Sequence, residues 1–215
     1  MGNEEVIEQI REAFAATPYP GDAFLQGSFE GCEPFDEVRP FVGKTNWREL
    51  DATMLDARYS ALSFFSEAGF RFFLPAFMIA DLRDELLTAD PLFHLSNGFI
   101  TVVVQVPVGN QKFSRAAGGT KFVNPRRYGA MQTSDYARHR LSIFTREESK
   151  AIVTYLTYKR EQDSQGLDRE RIDAALKEFW LDRAENAPTQ KEVKAYMREE
   201  ERFTAALTRT REEIR

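Results

Sequence analysis

The residues able to do chemistry are few and scattered. The two histidines, His94 and His139, stand 45 positions apart, and Cys32 is the single thiol. A zinc site takes three or four Cys, His or carboxylate ligands, usually with short paired spacings such as CxxC or HxxxH. The position that would complete such a pair with Cys32 is Phe35. No metal centre is predicted, and nothing beside Cys32 marks it as an activated nucleophile. Ala117-Gly118-Gly119-Thr120-Lys121 has the glycines of a phosphate loop without its order, which is Gly, four residues, then Gly-Lys and Ser or Thr. Carboxylates are plentiful, but no pair stands out for acid–base work. The sequence predicts no catalytic residue and no cofactor.

Charge is unevenly spread, although the net value is only -5. Residues 1–56 carry 12 acids and 4 bases, whereas residues 112–140 carry 7 bases and one acid, Asp135. Arg126, Arg127, Arg138, His139 and Arg140, with Tyr128 among them, combine cationic donors and an aromatic ring. That composition suits an anionic ligand or a nucleic acid. The alternative is a loop whose charge complements the acidic N-terminal third.

A second group of polar residues lies in and near a phenylalanine-rich stretch. Arg58, Arg71, Asp81 and Asp84 could pair with one another to satisfy half-buried charge. Arg58, Arg71 and Asp81 could also provide the polar groups of a pocket beside that stretch, which would make the chain an enzyme or a small-ligand binder. The leading expectation is a non-enzymatic interaction module.

Composition bounds the rest. A chain of 215 residues with 42% hydrophobic and 13% aromatic content can bury a sizeable core. One cysteine excludes an intramolecular disulfide and suits a reducing compartment. The opening MGNEEVIEQI lacks the basic and apolar regions of a signal peptide, and no apolar run is long enough to span a membrane. A cytoplasmic location without membrane contact is expected.

The elements that must position these residues are mostly helical. Val6, Ile7, Ile10 and Phe14 recur at helical spacing, and TPYPGD ends that helix. Asn46 and Glu49 resemble a capping box for a helix from Trp47 that runs on, with or without a break at Asp51, through Leu55, Tyr59 and Leu62. Ser66 is a candidate cap for the next, in which Phe70, Phe72, Phe73 and Phe77 leave nearly no polar side, as in a helix enclosed by its neighbours. Pro75 should kink that helix or split it. Phe99–Val106 is β-branched and reads as a strand, with a hairpin plausible to about residue 115. Residues 116–134 read as a long loop. Thr145-Arg-Glu-Glu148 is a capping box, and further helices start near Asp168 and Pro188. The fold class is thus mainly α: a compact helical domain over 1–184, with a small β element near 99–115 and a basic loop insertion at about 98–140. Residues 185–215 form a charged C-terminal helix, on which a partner helix could pack against Val193, Tyr196, Met197, Phe203 and Leu207.

The blocks Trp47-Arg48-Glu49-Leu50, Ala61-Leu62-Ser63-Phe64-Phe65-Ser66 and Phe70-Arg71-Phe72-Phe73-Leu74-Pro75-Ala76-Phe77 resemble a family of bacterial domains of unknown function. Pro20-Gly21-Asp22, Phe144–Glu148, Ala151–Leu156 and Ala175–Trp180 extend the resemblance over roughly 5–183. It implies a mainly helical domain and carries no activity or functional residue with it.

Overall fold

The Phe-rich stretch forms the central helix. In the computed structural model every residue from Gly69 to Ala80 is buried, within a helix (Glu67–Leu82) capped by the Ser66 side chain, which accepts from the Gly69 N–H. A helix apolar on all sides is stable only when other elements cover all of them. The structure describes residues 2–29, 31–99, 103–108, 111–116, 122–124, 129–131, 133–196, 198 and 199, with positions 103–135 described by their backbone only.

In chain order the helices are α1 (Asn3–Ala13), α2 (Glu33–Val38), α3 (Ala52–Ala57), α4 (Ala61–Phe64), α5 (Glu67–Leu82) and α6 (Pro91–Ser96). After the backbone ladders come α7 (Thr133–Leu141), α8 (Arg146–Gln162), α9 (Arg169–Ala175) and α10 (Leu181–Asn186), the last two joined by a π-helical turn, Leu176–Trp180. Residues 190–196 form a further helix, α11. The architecture is mainly helical. Between α6 and α7 the backbone pairs antiparallel, Val103–Val108 with Gln111–Ala116, and Phe122–Asn124 with Gly129–Met131.

Around α5 the aromatic rings pack in edge-to-face, tilted and stacked pairs. Phe41 and Phe65 approach to 4.9 Å between ring centres, Phe41 and Phe73 also to 4.9 Å, and Tyr19 and Phe72 to 5.1 Å. Each such pair adds about 0.5–1.5 kcal/mol to the burial of its rings. Phe144 packs against both Phe14 and Phe70, so α1 and α5 share one core with the chain entering α8. The fully buried Trp180 donates its indole N–H to the Leu95 carbonyl at 2.8 Å, which ties α6 to the π turn.

The structure decides two alternatives that the sequence left open. The helix from Trp47 through Leu62 is three pieces: a 3-10 turn (Trp47–Glu49), α3 and α4. Leu50 and Asp51 are extended, because the Asp51 carboxylate starts a new helix by accepting from the Thr53 N–H at 2.6 Å. Pro75 does not split α5, which is continuous over 16 residues. The lost backbone bond and ring clash cost about 3 kcal/mol, less than the burial of the surrounding rings returns. A helix at Pro91–Ser96, capped by Asp90, was not anticipated.

Candidate functional site

The residues singled out in the sequence do not converge. Arg71 forms a buried ion pair with Glu148, Nε to Oε2 2.8 Å, rather than with Asp81. Asp81 accepts from the Tyr155 hydroxyl at 2.6 Å and pairs with Lys159 at 3.0 Å. Burial first, and then the Asp81 charge, push the Tyr155 hydroxyl well above its ordinary pKa, so it stays a donor. Arg58 pairs with Glu37 at 3.7 Å. These polar residues have separate partners on separate elements.

The basic segment is described in part. Arg126 and Arg127 lie outside the described residues. On α7, His139 is exposed, Arg138 donates to the Glu178 carbonyl at 2.5 Å and lies over the Phe99 ring, and Arg140 donates to the Leu62 carbonyl and lies 4.6 Å over Phe70. Arg138 and Arg140 thus anchor α7 to the core.

Among the described residues, two surface recesses have linings that could bind a partner or ligand. The first, about 450 Å³, lies where α11 begins and is lined by Arg146, Asn186, Pro188, Glu192, Val193 and Tyr196. Its frame is fixed by backbone and side-chain hydrogen bonds. The Arg146 N–H donates to the Pro188 carbonyl at 2.9 Å, and the Arg146 guanidinium to the Ala187 carbonyl at 3.0 Å. Thr189 and Glu192 close a reciprocal cap: the Glu192 carboxylate accepts from the Thr189 N–H at 2.7 Å, and the Thr189 hydroxyl from the Glu192 N–H at 3.2 Å. The Gln190 N–H reaches the Glu147 carboxylate at 3.1 Å, and its side-chain oxygen accepts from Arg71 at 2.8 Å. Tyr196 is 62% exposed on the helix so fixed.

The second recess, about 320 Å³, lies over one face of α5. Ala76, Ile79 and Ala80 line it from that helix, and Trp47, Leu50 and Leu55 from the segment before α4. Arg11, Arg48, Arg83 and Glu85 stand around it. Sequence reading passed over these arginines because they are 35 or more positions apart. The available signal was the pair of alanines, Ala76 and Ala80, one turn apart in a helix otherwise filled with phenylalanine.

Neither recess is lined by Arg58, Arg71 or Asp81. Among the described residues no group of three or more His, Cys, Asp or Glu could hold a metal ion. No helix among them is long and apolar enough to cross a membrane.

Residues 2–95 match the model of a family of unknown function, DUF6714. The resemblance read from the Trp47, Ala61 and Phe70 blocks holds over that span, and the blocks from Phe144 to Trp180 lie beyond it. No curated protein and no solved structure matches the chain. The matched stretch contains α1 to α5 and most of α6, and with them the whole lining of the arginine recess.

Proposed function

We propose that this chain is a non-enzymatic interaction module that receives an amphipathic helix of a partner protein on the groove at the start of α11. The observation carrying this reading is an exposed aromatic, Tyr196, beside Val193 and Pro188 on a helix whose first turn is locked to α8. A pre-fixed helix presenting apolar anchors loses little conformational freedom on binding, which is what helix-in-groove recognition needs. Sequence continues the pattern, since Met197, Phe203 and Leu207 follow at helical spacing outside the described residues or at their edge.

The test is a pair of surface substitutions, Val193→Asp and Tyr196→Asp, in the full chain. They should leave the thermal unfolding midpoint unchanged while removing the partner recovered by cross-linking in cells. Recovery of the same proteins in the same yield would refute the reading.

The basic segment keeps a second place in this proposal, as a contact for an anionic ligand or nucleic acid through Arg126, Arg127 and His139, with Arg138 and Arg140 holding α7 in place. Exposure of His139 favours it. Binding of single-stranded DNA at low salt that falls steeply with added salt, and falls again in Arg126→Ala with Arg127→Ala, is the expected result. Absence of binding at low salt would remove this part. A cytoplasmic setting accords with the single cysteine.

A further inference from the structure

The arginine recess has a composition that the packing of the core does not require. Trp47, Leu55, Ala76, Ile79 and Ala80 are all less than a tenth exposed and form an apolar floor. Elsewhere α5 fills space with phenylalanine. On this face the small Ala76 and Ala80 leave it open.

The rim carries three guanidinium groups and one carboxylate, Glu85. Arg48 is held in place from two sides: it lies 4.5 Å over the Trp47 ring and donates to the Arg11 carbonyl at 3.1 Å. A guanidinium has five N–H donors, so this single bond leaves most of its fork available. Arg11 pairs with Glu8 at 3.4 Å, a largely solvated contact of the kind that contributes little. Arg83 is exposed and has no ion pair among the described residues. Helix dipoles explain part of this, because Arg11 is in the last turn of α1 and Arg83 follows the last residue of α5. They explain a cation at each helix end, but not why both open with Arg48 onto one recess with an apolar floor.

We propose that this recess binds a small amphipathic anion, with an aromatic or short acyl body on the α5 floor and a carboxylate, phosphate or sulfate held by Arg48 and Arg83. Arginine forks match planar and tetrahedral oxyanions with paired hydrogen bonds. A volume of about 320 Å³ is near the lower end for small-molecule sites, which suits a single ring system rather than a dinucleotide or a folded chain. The site is independent of the groove at α11 and lies entirely within the stretch matched by the family model.

Calorimetric titration of the full chain with 1-naphthyl phosphate, 1-naphthol and inorganic phosphate tests it. The ester should bind at least about tenfold more tightly than either fragment, because it alone engages floor and rim together. Arg48→Ala with Arg83→Ala should weaken the ester by about tenfold or more and leave 1-naphthol unchanged. Ala80→Trp fills the apolar floor without touching a charge and should abolish binding of the ester and of 1-naphthol, whereas Tyr196→Asp should change none. Thermal unfolding of each variant shows whether it is folded, and both arginines are exposed enough to be replaced without loss of the core. Equal affinity for ester and alcohol, or ester binding undiminished in folded Ala80→Trp or in the double arginine variant, would overturn the assignment.

Discussion

Arg71 in α5 and Glu148 in α8 form a buried ion pair at 2.8 Å across 77 positions of sequence. Glu148 is satisfied all round. Its carboxylate also accepts from the Thr17 hydroxyl at 2.5 Å and from the Thr145 N–H at 2.8 Å, the second being half of a capping box. Removing one partner of such a pair leaves a buried charge without compensation, at a cost of about 3–5 kcal/mol. Glu148→Ala should therefore lower the unfolding free energy in urea by that amount. Arg71→Met combined with Glu148→Leu should lose markedly less than the two single changes added together. Strict additivity would show that the two side chains do not act as a pair.

Gly69 predicts a reversal of ordinary helix propensity. Inside a helix, alanine is favoured over glycine by about 1 kcal/mol. A Cβ at position 69 would stand 2.7 Å from the Leu25 carbonyl oxygen, a backbone atom held by its bond from the Ser66 N–H at 2.7 Å. Gly69→Ala should thus destabilise the protein, by about 1–3 kcal/mol as in overpacked cores. Chemical denaturation giving an unchanged or raised midpoint would contradict the tight docking of Leu25 on α5.

What the sequence disclosed follows the range of the interactions concerned. Ser66 capping α5, the Thr145–Glu148 box and the enclosed Phe-rich helix are local patterns, and the structure has each of them. The role of Glu148 toward Arg71 is not local, so sequence reading sought the partner of Arg71 among the nearer Asp81 and Asp84. The break at Asp51 stayed an open alternative in the sequence, because Leu50, Leu55 and Leu62 are apolar whether or not the helix is continuous. Only the self-capping of Asp51 decides it. The arginine recess needs α1, the Trp47 turn and the end of α5 to meet, which no spacing announces.

Asp84 offers a gain in stability. The end of α5 is closed by a left-handed residue, Asp84 at φ 56°, with the Glu85 N–H donating to the Ala80 carbonyl at 3.0 Å and the Asp84 N–H to the Asp81 carbonyl at 3.1 Å. This position favours glycine, which has no Cβ to strain. Asp84→Gly should raise stability by about 0.5–1 kcal/mol. A lower melting temperature would mean that the Asp84 carboxylate contributes more than its backbone strain costs.

His94 makes stability fall in acid. Burial, and then the nearby Arg140 charge, lower its pKa from 6.5 to about 3, so it stays neutral in the folded chain where the unfolded chain would take up a proton. The sign follows from proton counting: above pH 6.5 both states are neutral and nothing is lost. Below that pH the unfolded state binds one proton more, and stability drops by about 1.4 kcal/mol per pH unit until the folded pKa near 3 is reached. His94→Gln removes this term while keeping a polar group beside Phe70 and Phe93. Urea midpoints measured from pH 7 to pH 4 should therefore decline more steeply for the native chain than for the variant. Parallel profiles would show that the imidazole is protonated as readily in the fold as outside it.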